Sequence, residues 1–268
     1  MPREITAFSN PLVKYARDLR DKRHRRESGQ FLAEGLRILT EAHEAGRLPR
    51  TLFYNAREAP HPLAAGLIDA VEATGGDAVA TTADILAKLS GKDNPQAVVG
   101  IFDAFERALD DLDRGSAGIW LVAERLRDPG NLGTILRTGD AVGAGALILL
   151  DDCVDPFSVE AVRASMGALF TVPIVRAASA QFIEWLRRGP GLLVGLSLDT
   201  DLSYRGADYP APTFILTGNE AQGMPPTLAA ECDLLVKLPM LGKADSLNAA
   251  VATAVMAYEV LARQPAAR

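Results

Sequence analysis

The chain has 268 residues, 48% of them hydrophobic, and a formal net charge of −6, which is enough apolar material for two cores of unequal size. No uncharged apolar run reaches the roughly 18 residues that span a bilayer, and the N-terminus is polar and basic, so the sequence reads as soluble and cytoplasmic with no membrane association. Cys153 and Cys232 are the only cysteines and all three histidines lie at or before His61, which argues against a disulfide framework, a metal site and a Ser-His-Asp triad in the long C-terminal part.

Residues 1–30 hold eight basic side chains (Arg3, Lys14, Arg17, Arg20, Lys22, Arg23, Arg25 and Arg26) against four acids, with Tyr15 and His24 among them. Such a leader suits contact with an RNA backbone and suits a solvated helix face almost equally; the pattern leaves both open. Short apolar runs then alternate with helical patterns: Phe31 to Ala33, Leu36 to Ala45, Thr51 to Tyr54, Ala64 to Ala73 and Ala97 to Phe102. We therefore expect a compact α/β domain over 1–105. The polar, acidic stretch 106–116 reads as a linker, with a second domain over 117–268.

In that second domain, strand-like runs at Ile119–Ala123, Ala146–Leu150, Thr171–Val175, Leu192–Leu196, Thr213–Leu216 and Leu234–Leu238 alternate with helical stretches. Continuous apolar strands separated by helices predict a parallel sheet covered on both faces, with ligands beyond the carboxyl ends of its strands. The last helix, expected over Ser246–Ala262, carries one acid, Glu259, and no base. A helix apolar on nearly all faces needs cover nearly all round, and a homodimer built partly on it is the expectation.

Four loops could carry chemistry. Arg127-Asp128-Pro129-Gly130-Asn131 turns into a helix that Asn131 is placed to cap, with Arg137 six residues on. Asp155-Pro156-Phe157 opens a helix through Arg163, which fits a structural pairing with a carboxylate from another loop. The stretch TGNEAQGMP, 217–225, follows a strand like a phosphate-binding loop but lacks the lysine that such a loop requires; without a histidine partner, Glu220 fits a hydrogen-bonding role. Leu238 to Asn248 joins the last strand to the apolar helix, where Asp245 or Ser246 could be the cap and Asn248 would sit as a polar residue in the first turn.

Taken together, NLGTILR, DPFSVEAVRASMGA, GNEAQG and LPMLGKADSLNAA occur in the order and spacing of the motifs of the SpoU/TrmH family of RNA ribose 2′-O-methyltransferases, within the SPOUT class, and the chain is identified as a member by them. SNPLVKYARDL and FLAEGLRILTEA resemble the ribosomal-protein-like substrate-binding domain that precedes the catalytic domain in many of these enzymes. The resemblance implies an α/β architecture with a deep trefoil knot in the C-terminal domain, S-adenosylmethionine as cofactor, no metal, a homodimer, and RNA as substrate, ribosomal RNA favoured and transfer RNA possible. By motif, it implies Arg137 as the catalytic arginine, Asn131, Glu220, Ser246 and Asn248 as residues shaping the catalytic site, and Thr217, Gly218, Leu238, Met240 and Leu247 as cofactor contacts. The missing lysine fits, since the sulfonium is positive and carries no phosphate. Gly139-Asp140, where the family often has Ala before an acid, is the departure. Two rivals remain weaker. A non-catalytic RNA-binding or ribosome-assembly factor predicts decayed motifs. A dinucleotide oxidoreductase needs its glycines after a strand, whereas Gly143 and Gly145 precede one.

Overall fold

The computed structural model describes residues 3–55, 61–91 and 97–264; the first two residues of the basic leader and the last four of the chain fall outside them. The chain forms two units, one from Met1–Phe105 with Asp155–Thr171 and one from Glu106–Val154 with Val172–Arg268.

In the first unit, β1 (Arg3–Glu4), α1 (Pro11–Asp18), α2 (Lys22–Ser28), β2 (Gln30–Glu34), α3 (Leu36–Glu44), β3 (Thr51–Asn55), α4 (Pro62–Ala73), β4 (Asp77–Thr81), α5 (Ala83–Ser90) and β5 (Val98–Asp103) follow in order. The sheet runs β1-β4-β3-β5-β2; β1, β4 and β3 are parallel, and β5 is antiparallel to both β3 and β2. The sequence pattern misses β4 and α5. DAVAT has little bulk and no alternation to mark it, yet four of its five residues are buried. Helix α1 starts where Asn10 accepts from the Leu12 N–H and Pro11 takes the first position, which needs no N–H donor.

In the second unit, β6 (Ile119–Glu124), α6 (Pro129–Ala141) and β7 (Leu147–Leu150) come first; α7 (Val159–Ser165) belongs to the first unit; β8 (Ile174–Ala177), α8 (Ser179–Arg187), β9 (Leu192–Leu196), β10 (Thr213–Thr217), α9 (Pro226–Ala229), β11 (Leu234–Val236) and α10 (Ala249–Arg263) complete it. Its six strands, in the order β11-β9-β10-β6-β7-β8, all pair in parallel, as continuous apolar runs require. Every residue of β6, β7 and β10 is buried, and Trp120 stacks on Phe214 at 5.5 Å between ring centres.

The segment 155–171 joins the first unit for a packing reason. Phe157 and Phe170 complete an aromatic cluster with Phe31, Phe102 and Phe105, with ring centres 4.8 Å apart for Phe31 and Phe157 and 5.0 Å for Phe102 and Phe170. Ser158 caps α7 by accepting from the Ala161 N–H at 3.2 Å. Arg163 is paired with Glu34 at the end of β2, the structural role expected of it. Arg25 differs from the reading of the leader as surface charge. It is 7% exposed, donates to Asp155 Oδ2 at 2.9 and 2.7 Å and also to the carbonyls of Leu19 and Arg20. A buried guanidinium with all these acceptors is a structural fixture, so the leader has one fewer cation to offer a ligand.

Residues 106–116, read as a linker, lie as a strap on the second unit. The Arg107 N–H donates to the Ile174 carbonyl, and Arg114 stacks its guanidinium 3.9 Å from the Trp185 ring centre while donating to the Leu186 carbonyl. Leu109 and Leu112 pack against the core of that unit, which a polar count of the segment hides. Among the described residues, no helix is long and apolar enough to cross a membrane.

Candidate functional site

Two adjoining cavities open beyond the carboxyl ends of β9 and β10, where a parallel sheet places its ligands. The first, of about 380 Å³, is lined by Leu196–Asp199 after β9, by Thr217–Met224 after β10, by Val236, Leu238 and Met240 around β11, and by Ser246, Leu247, Ala249 and Ala252 where α10 begins. Its walls mix apolar side chains, such as Leu196, Leu238 and Leu247, with polar ones, Ser197, Asn219, Gln222 and Ser246. It carries two acids, Asp199 and Glu220, and no basic side chain. Such a lining suits a neutral heteroaromatic group joined to a cationic centre, and it disfavours a phosphate.

The loop after β10 is closed on itself. Asn219 and Gly223 exchange backbone hydrogen bonds of 3.1 and 2.9 Å, the Asn219 side chain accepts from the Ala221 and Gln222 N–H groups, and its amide donates to the Arg125 carbonyl. Gly223 takes a φ of +68°, and a Cβ on Gly218 would lie 2.5 Å from the Met224 nitrogen. Gly218 is therefore required by the close pass of the Gly223–Met224 backbone, a reason additional to any ligand. Thr217 ties the end of β10 to α10 through a 2.7 Å hydroxyl pair with Thr253.

The second cavity, about 570 Å³, is lined by Arg127, Asp128, Asn131, Asn219, Glu220, Ala221 and residues 246–249. A polar chain crosses it. The Glu220 carboxylate accepts from the Arg127 and Asp128 N–H groups, each at 3.2 Å, and from the Asn131 side-chain amide at 3.1 Å; Asn131 in turn accepts from the Asn248 amide at 2.8 Å. Burial pushes the Glu220 carboxyl up, but the hydrogen bonds from Asn131 and from the N–H groups of Glu220, Asp128 and Arg127 outweigh it, and the group ends below its ordinary value. It is a fixed anion at neutral pH. Arg127 is pushed up chiefly by its hydrogen bond to Asp152, at 2.8 Å.

Two capping expectations are corrected here. Asp128, not Asn131, caps α6 by accepting from the Asn131 N–H at 2.7 Å, which frees the Asn131 amide for the chain just described. Asn248 is itself the cap of α10, accepting from Ala250 and Val251, so it is an exposed cap and neither a buried first-turn amide nor a neighbour of a capping Asp245 or Ser246. One side of Asn248 holds the helix and the other holds Asn131.

All five residues expected to contact the cofactor, Thr217, Gly218, Leu238, Met240 and Leu247, line the first cavity. Asn131, Glu220, Ser246 and Asn248 line the second, with Glu220 and Ser246 shared between the two. Arg137 lines neither. It is exposed on α6, and among the described residues it has no hydrogen-bond or ion-pair partner. Leu198 and Asp199 belong to the first cavity and went unread in the sequence; their place at the carboxyl end of a strand next to β10 was the available signal.

Residues 118–258 match the SpoU rRNA Methylase family, and residues 10–100 match the MRM3-like substrate binding domain. A Streptomyces viridochromogenes 23S rRNA (uridine(2479)-2′-O)-methyltransferase is 33% identical to the chain, over 99% of it and 94% of the relative. Among solved structures, an AdoMet-bound rRNA methyltransferase from Sinorhizobium meliloti is 40% identical with a TM-score of 0.90, covering 96% of this chain and 97% of that one. The SpoU methyltransferase AviRb from Streptomyces viridochromogenes, in complex with AdoMet, is 30% identical with a TM-score of 0.87, over 97% and 100% of the two chains.

Proposed function

The chain belongs to the SpoU rRNA methylase family, and on that footing we propose that it transfers a methyl group from S-adenosylmethionine to a ribose 2′-hydroxyl of ribosomal RNA in the cytoplasm. The observation that carries this reading is the first cavity: a site of mixed apolar and polar walls with two acids and no basic side chain at the end of a parallel sheet, lined by the five residues that the motifs single out as cofactor contacts. Bound there, S-adenosylmethionine supplies an electrophilic sulfonium methyl.

The protein's own residues then have two tasks, alignment and charge. Thr217, Gly218, Leu238, Met240 and Leu247 hold the donor. The Glu220–Asn131–Asn248 chain fixes two amides beside it at hydrogen-bond distance, which favours one orientation for an incoming ribose. Arg137 binds the phosphate next to that ribose and stabilises the oxygen as it loses its proton. The proton leaves to water, to a phosphate oxygen or transiently to a neighbouring side chain.

Arg137 reaches a site, in this proposal, through a homodimer. Supporting it, Val251, Val255, Tyr258 and Leu261 form one stripe of exposed apolar side chains along α10, which packs against α6, the helix that carries Arg137. A second copy covering this face would bring Arg137 to the partner's cavities. The trefoil knot is proposed as well: the chain leaves β11 at the sheet edge and returns as α10 over β10 and β6, so residues 237–248 cross the strand ends on the way. The first unit is proposed to hold the RNA. The test is incubation with labelled S-adenosylmethionine and separated 23S and transfer RNAs, followed by mapping of the labelled nucleoside. A 2′-O-methyl label in 23S RNA is expected; label only in transfer RNA, or on a base, overturns the assignment.

A further inference from the structure

The first unit has a cleft that methyl transfer leaves unused. Phe8, Arg17, Arg20, Asp84, Lys88 and Gly91 line a cavity of about 630 Å³. Phe8, in the stretch before α1, is 52% exposed, so its ring is available to a ligand. Arg20 lies directly over Gly91, where α5 ends: a Cβ there would come 1.8 Å from its Nη1, and the residue also takes a φ of +67°. Lys88 stands in the last turn of the same helix. Both cations sit where the helix dipole favours positive charge.

In this acidic chain, Arg3, Arg23, Arg25, Arg37 and Arg50 of the same unit each pair with a carboxylate. Among the described residues of this unit, Lys14, Arg20, Lys22, Arg26 and Lys88 have no carboxylate partner, and of these Arg20 and Lys88 line the cleft. Arg17 holds Asp18 at 2.8 Å on the exposed side, and Lys14, one helical turn earlier and exposed, extends the strip along α1. Asp84 is the acid that lines the cleft, against three cations.

Cations brought together from the ends of two helices beside an exposed ring are the parts of a single-strand subsite: charges for successive phosphates and a ring for an unstacked base. We propose that this cleft binds a single-stranded segment of RNA, with a base stacked on Phe8 and its flanking phosphates on Arg17, Arg20 and Lys88. The inference rests on the RNA-methyltransferase reading for its biological meaning, and it assigns to the first unit a site of recognition separate from the methyl-transfer cavities.

The test uses the full chain and a fluorescent oligouridylate of about twelve nucleotides, within the site size of single-strand binders, titrated by anisotropy at several salt concentrations. Phe8→Ala should weaken binding by about fivefold or more, the loss of one stacked base, with the salt slope unchanged, and Phe8→Trp should restore it. Arg20→Ala with Lys88→Ala should flatten the slope of log affinity against log salt by about 1.4, two phosphates at 0.7 each on a single strand. Ultraviolet cross-linking should tag the tryptic peptide Glu4–Lys14. Thermal melting checks that each variant is folded. Normal affinity of folded Phe8→Ala overturns the proposal, as does competition by duplex RNA or polyglutamate that equals the single strand. If the oligonucleotide behaves as stated while no ribosomal RNA accepts a methyl group, the functional reading fails and the cleft stands; if transfer proceeds while Phe8→Ala binds normally, the cleft alone fails.

Discussion

The two cavities at the carboxyl end of the second sheet share a wall, Asn219, Glu220, Ala221, Ser246, Leu247 and Ala249, and are built on different principles. The first mixes apolar and polar walls and carries two acids and no basic side chain, so it selects a ligand by shape and by tolerance of positive charge. The second is spanned by hydrogen-bonded side chains and is a device for orientation. One helix start, at Asn248, serves both, because the same residue caps α10 and restrains Asn131. The lesson is that binding and alignment are separable here, and substitutions should part them.

The largest effect is expected from a residue in neither cavity. Arg137→Ala should lower methyl transfer by about two to four orders of magnitude while leaving donor affinity and melting temperature unchanged, measured by turnover, calorimetry and thermal scan. Near-normal turnover would remove Arg137 from the reaction. Next comes Asn248→Ala, which breaks the restraint on Asn131 and removes a cap; about 1 kcal/mol of stability should go with a fall in kcat that exceeds any change in donor affinity. Gly218→Ala acts on the first cavity. Its Cβ must displace the Met224 nitrogen 2.5 Å away, so about 1–3 kcal/mol of destabilisation and weaker donor binding are expected in melting and calorimetry.

Smaller still is the pH response. Glu220 lies below its ordinary value, so its contribution to the loop is fully present above the unfolded carboxylate range and is lost only as pH falls through the lowered value. Rate profiles between about pH 6 and 9 should therefore show no Glu220 ionisation. A neutral-range step abolished by Glu220→Gln would contradict this. The least change is expected from thiol reagents. Burial pushes Cys153 up to about 11 and Cys232 up to about 12, and iodoacetamide at neutral pH should modify the folded chain slowly and without loss of activity.

Much of this was legible in the sequence. The parallel sheet followed from uninterrupted apolar runs such as Ile119–Ala123 and Thr213–Leu216, and of the ten residues singled out by the motifs all but Arg137 line the cavities. The rest depended on long-range contacts that no periodicity records. Arg25 reads as surface charge because its partner, Asp155, is 130 positions away. The strap at 106–116 reads as linker because its few apolar residues, Leu109 and Leu112, do not repeat. Asn131 and Asp128 compete as caps, and only the built helix shows that Asp128 takes the N–H and leaves Asn131 to Glu220. Asp199 lay in a stretch with no motif, and its position at a strand end became informative only once β9 was seen beside β10.

The most direct test separates the two cavities in one experiment. Ala252→Trp fills the first cavity, and Asn131→Asp sets a second carboxylate against Glu220 in the other. S-adenosylmethionine binding is measured by calorimetry, and label transfer to 23S ribosomal RNA is measured in parallel, on both variants and the parent. The expected result is loss of both binding and transfer in Ala252→Trp, and binding within about twofold of the parent but transfer reduced at least tenfold in Asn131→Asp. Donor binding that survives in Ala252→Trp, or that disappears in Asn131→Asp, would contradict the account.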